Sequence, residues 1–147
     1  MQDEAYNRSE GFYKSVDEIR SLVQRFESCA LAPSEMTHRA HLSISVWYLS
    51  RFPVSEGARQ VRENLVRFIG HYGLTGYNET ITLFWIKLIK GFLEGADPRR
   101  PINDLANDLV ERFGNSQVIF DYYSREKLLS DEARIGWVEP DLRRLDF

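Results

Sequence analysis

The chain has 147 residues, 43% of them hydrophobic, 28% charged and 13% aromatic, which is ordinary globular usage and enough for one sizeable core. A net charge of −3 gives no overall basic field for nucleic acid or an anionic membrane. The single cysteine, Cys29, excludes an internal disulfide and a cysteine-based zinc cluster.

The start, Met1-Gln2-Asp3-Glu4, is acidic and lacks the apolar run of a secretory signal. The most apolar stretch, Ile81 to Leu93, contains Lys87 and Lys90 and is too short to span a bilayer. The expectation is one helical domain over residues 1–147, cytoplasmic, with no membrane and no nucleic-acid partner.

Proline and glycine punctuate the chain into helical pieces. The first spans residues 15–28, with Ser15 as cap, Glu18 as its capping-box partner, and Ile19, Leu22, Val23 and Phe26 at helical spacing. Ala32-Pro33-Ser34 breaks the pattern. A second helix covers 37–52 and stops at Pro53. A third begins at Ser55, carries Val61, Leu65, Val66 and Ile69 as its stripe, and ends at Gly73 and Gly76.

The fourth helix, about 78–94, is apolar almost all round and is assigned the middle of the fold. Asp97-Pro98-Arg99-Arg100-Pro101 is a break, and a fifth helix runs over 102–113 to Gly114. Shorter pieces follow at 116–123 and 124–134, then an irregular tail. Strand-type alternation is nearly absent. The class is all-α, a compact bundle of five to seven helices.

The chemistry begins with His38-x-x-His41. At about 100° per residue, His38, His41, Leu42, Ser45, Leu49 and Phe52 share the apolar face of the second helix, with His38 close to its centre. Two imidazoles so placed can ligate one metal ion, or one can act as a base while the other orients it. Both lie in the first turn after Thr37, where the helix dipole disfavours imidazolium. It favours a neutral ligand or base, or an anionic substrate.

Glu79, in the first turn of the fourth helix, is the natural third member. His38, His41 and Glu79 would make a two-histidine, one-carboxylate set for iron, manganese or zinc, with Asn78 supplying an amide oxygen or orienting a substrate. The bland alternatives are histidines that satisfy the core and a glutamate that stabilises its own helix start.

Glu35-x-x-His38 has di-iron half-motif spacing, but no second such motif exists. His71 reads as a helix-end residue, Cys29 as an inert thiol, and Arg99-Arg100 and Arg143-Arg144 as solvated surface. Trp47, Tyr48, Phe84, Trp85, Tyr122 and Tyr123 read as core.

Four segments carry a resemblance: Thr37-His38-Arg39-Ala40-His41-Leu42; Tyr77-Asn78-Glu79-Thr80-Ile81-Thr82 followed by Trp85; Tyr123 to Leu128; and Gly136 to Leu142. Together they resemble a family of small bacterial all-helical proteins with T-H-x-x-H-L and Y-[HN]-E-T-I-T motifs. The family brings no activity with it. The resemblance implies that His38, His41 and Glu79 belong to one site, whose third histidine is Asn78 here. Two functions follow as expectations. The first is a helical metalloprotein or enzyme acting on a small molecule through His38, His41 and Glu79, by metal assistance or general acid–base work. The second is a non-enzymatic helical ligand-binding or protein-interaction module.

Overall fold

A computed structural model describes residues 11–147, and the acidic Met1–Glu4 segment lies outside them. Five long helices form the body: α1 (Val16–Glu27), α2 (His38–Arg51), α3 (Val54–His71), α4 (Glu79–Glu94) and α5 (Ile102–Phe113). Two short helices, α6 (Arg125–Leu128) and α7 (Asp131–Ile135), and two 3₁₀ turns, Pro33–Glu35 and Ser116–Asp121, complete it. No strand occurs among the described residues.

Local chemistry explains most of the boundaries. The side chains of Ser15, Thr37, Asn78, Ser124 and Ser130 each accept a hydrogen bond from a backbone N–H in the first turn of the helix that follows. The capping box at α1 is only half made: Ser15 Oγ accepts from Glu18 N, but the Glu18 carboxylate reaches Lys14 N rather than Ser15 N. The piece expected over 124–134 is two helices, because Ser130 starts a new cap where the first turn ends. Cys29 follows α1 with φ +58°, the left-handed position where glycine is usual.

The expected centre needs correction. α2, not α4, occupies the middle, packed by α1, α3, α4 and α5. Every residue from Leu42 to Leu49 is buried, whereas α4 buries six of its sixteen. Ser43, one of the serines that lower the apolar character of α2, is accommodated: its Oγ donates to Arg39 O at 2.8 Å, inside the helix's own ladder. Gly57 lets α3 approach, since a Cβ there would stand 2.8 Å from Tyr48 O.

The apolar circumference of α4 is covered by different partners on different sides. They are α2, α3, α7, and a tail that returns across it. Thr80 Oγ1 donates to Gly136 O and accepts from Val138 N, and the Phe147 ring stands 5.4 Å from Phe84. Of the aromatics read as core, Trp47, Tyr48, Phe84, Tyr122 and Tyr123 are buried; Trp85 is half-buried. No helix among the described residues is long and apolar enough to cross a membrane.

Candidate functional site

The first turns of α2 and α4 flank a cavity of about 570 Å³. Its walls come from α2 (His38, His41, Leu42, Ser45), α3 (Val61, Leu65, Phe68, Ile69) and α4 (Ile81, Thr82, Trp85, Ile89). Leu74 to Asn78 and parts of residues 116–129 close it. The volume falls within the roughly 300–1,000 Å³ typical of small-molecule sites. The 73–77 connection bends through Gly73 and Gly76, at φ +62° and +93°, which glycine adopts without strain.

Both histidines reach this cavity, as their i, i+3 spacing requires. His38 is fixed: its Nε2 lies 3.0 Å from the Phe113 carbonyl at the end of α5, and its ring meets the Trp85 indole edge-on at 4.5 Å. A carbonyl only accepts, so Nε2 carries the proton. Burial pushes the His38 pKa below its ordinary value, and the Phe113 carbonyl opposes that shift.

His41 is different. Its ring makes no hydrogen bond among the described residues, and burial followed by the neighbouring His38 pushes its pKa down to about 4. At neutral pH it is an uncharged imidazole, with one N–H and one lone pair, on the wall of the cavity.

Glu79 does not join them, which corrects the expected three-residue set. Its carboxylate takes a two-pronged grip from Arg62 of α3, Nε to Oε1 at 2.9 Å and a terminal guanidinium nitrogen to Oε2 at 2.6 Å, and Tyr77 OH donates to Oε1 at 2.9 Å. Burial works to raise this carboxyl. The Arg62 and Tyr77 hydrogen bonds and the Arg62 charge outweigh it and hold the pKa below the usual carboxylate value. Glu79 is not among the cavity-lining residues. Among the described residues, no group of three or more His, Cys, Asp or Glu side chains is placed to hold a metal ion.

Asn78 lines the cavity but has both polar atoms engaged. Oδ1 accepts from Ile81 N at 2.9 Å, capping α4, and Nδ2 donates to Leu128 O at 2.7 Å, tying α6 to α4. The amide therefore serves the fold at the place where a cofactor contact was expected. His71 is exposed at the end of α3, edge-on to Tyr72 and away from the cavity.

Two site residues escape sequence reasoning. Arg62, which claims Glu79, stands 17 positions earlier on another helix, and no local spacing links them. Tyr77 was visible only as a motif letter, not as a donor to Glu79.

No protein-family model, curated protein or solved structure matches this chain.

Proposed function

We propose that this protein is a small-molecule-binding module, with the α2–α3–α4 cavity as its site and His41 as the polar group that orients the ligand. One observation carries the reading: a mostly apolar cavity, whose lining also includes Ser45, Thr75, Thr82, Ser116 and Gln117, has at its wall an imidazole that makes no hydrogen bond to a described residue. Among the described residues the one fully buried side-chain nitrogen or oxygen without a partner is Arg39 Nε, so the His41 nitrogens keep access to the cavity space, and a ligand that hydrogen-bonds to the ring takes the place of water there. The apolar walls supply most of the affinity and His41 supplies orientation.

Two other readings of the same residues draw less support. A divalent metal (iron, manganese or zinc) on His38, His41 and Glu79 would have to take Glu79 from Arg62 and Tyr77. General-base catalysis by His41 suits a group whose pKa lies near the working pH, and a pKa of about 4 makes a weak base at pH 7.

The test uses indole, an apolar ring with one N–H donor. Titration should shift the His41 ring and Trp85 indole resonances saturably. Leu65→Trp, which places a large ring into the cavity from α3, should abolish the shift while the fold persists. Saturable shifts that survive Leu65→Trp, or none in the wild type, would count against the cavity as a binding site.

A further inference from the structure

Among the described residues that line the cavity, none is Asp, Glu, Lys or Arg. The ionisable side chains on its wall are His38, His41 and Tyr77. Tyr77 is spoken for by Glu79, and burial, then that hydrogen bond, raises its pKa, so it carries no charge near neutral pH. Both histidines are depressed. The strongest charges at this end of α4, Arg62 and Glu79, are paired with each other at 2.6 Å. Leu74 and Leu129, both lining residues, are 42% and 47% exposed, so apolar surface continues to the cavity's edge.

A charged group entering this space would lose its water shell and meet no oppositely charged side chain, and at the two helix starts the N–H groups of Ala40 and Ile81 are already taken by Thr37 and Asn78. Such desolvation is far more costly than moving a neutral hydroxyl to a hydrogen-bonding partner. The imidazole, by contrast, can accept one proton-bearing group or donate to one oxygen.

We infer that the ligand class is an uncharged, largely apolar molecule with a hydrogen-bonding group for His41, such as a phenol or alcohol, and that carboxylates, phosphates and amines are excluded. This inference rests on the cavity being a binding site. It adds the selection against charge, which the cavity's existence alone does not require.

Three probes of one shape separate the two. They are 4-propylphenol, 4-propylbenzoate and propylbenzene, titrated at pH 7 into the full chain, with His41 and Trp85 resonances followed. The phenol should bind saturably, the benzoate at least tenfold more weakly, and propylbenzene several-fold more weakly than the phenol. His41→Phe should bring phenol and propylbenzene to the same affinity while leaving the benzoate weak. His41→Gln, which retains hydrogen-bonding groups, should keep part of the phenol's advantage. Benzoate binding as tight as the phenol's would overturn the selection against charge and leave the binding site standing. Failure of all three to bind saturably would overturn both. An undiminished preference for phenol over propylbenzene in His41→Phe would also overturn the assignment of the ligand's hydrogen bond to His41.

Discussion

The starts of α2 and α4 invite comparison. Each follows a capping side chain, Thr37 in one and Asn78 in the other, and each carries ionisable residues within its first turns. At α4 the polar groups are satisfied by protein: Asn78 by Ile81 and Leu128, Glu79 by Arg62 and Tyr77. At α2, His38 is satisfied by Phe113, and His41 is not satisfied by any described residue. Similar positions on two helices thus divide into a structural clasp and an imidazole without a partner among the described residues. The division follows from what the neighbouring helix presents. α3 offers a guanidinium to Glu79, while His41 faces a cavity bounded mainly by aliphatic and aromatic side chains.

The sharpest way to break this comparison is acid. His41 has an ordinary pKa of 6.5 when unfolded and about 4 when folded, so the unfolded chain binds more protons between those values. Its contribution to stability is intact above pH 6.5 and is lost as pH falls toward 4. The loss is on the order of 3 kcal/mol from a shift of this size. Denaturant titrations of wild type and His41→Phe at pH 7 and pH 4 should show that excess loss in the wild type alone. Parallel losses in both proteins would mean that His41 titrates in the folded state as it does in water.

The clasp at α4 should respond differently. Asn78→Ala removes a cap and leaves Leu128 O without its donor, and should cost about 2 kcal/mol at pH 7. Glu79→Gln weakens the grip of Arg62 and should cost about 1 kcal/mol. The same change should leave divalent-metal titrations unaltered, since Glu79 does not face the histidines. A large loss of Zn(II), Mn(II) or Fe(II) affinity in Glu79→Gln, measured by calorimetry, would restore the three-residue site. The smallest effect lies outside both regions. Cys29→Gly relieves a left-handed residue at the end of α1 and should raise stability by up to about 1 kcal/mol in thermal unfolding.

Much of the helical layout was legible because its signals are local. Pro53, Gly114 and the serine, threonine and asparagine caps act within a turn of where they stand. The shared orientation of His38 and His41 was legible for the same reason, since i, i+3 spacing fixes a face before any packing occurs. The centre of the bundle was not. α2 carries Ser43, Ser45, Arg39 and two histidines, so its pattern does not advertise burial. Four neighbouring helices bury it nonetheless. The partner of Glu79 was equally hidden, because Arg62 meets it only when α3 and α4 pack side by side.

The central claim is that His41 stands neutral and unpartnered at the cavity wall. It is tested most directly by following the carbon and nitrogen resonances of its imidazole against pH in the intact chain. The account predicts a neutral ring through pH 6 and protonation only near pH 4. A titration centred at pH 6.5 or above would place the ring in water or beside a carboxylate, and would contradict the site.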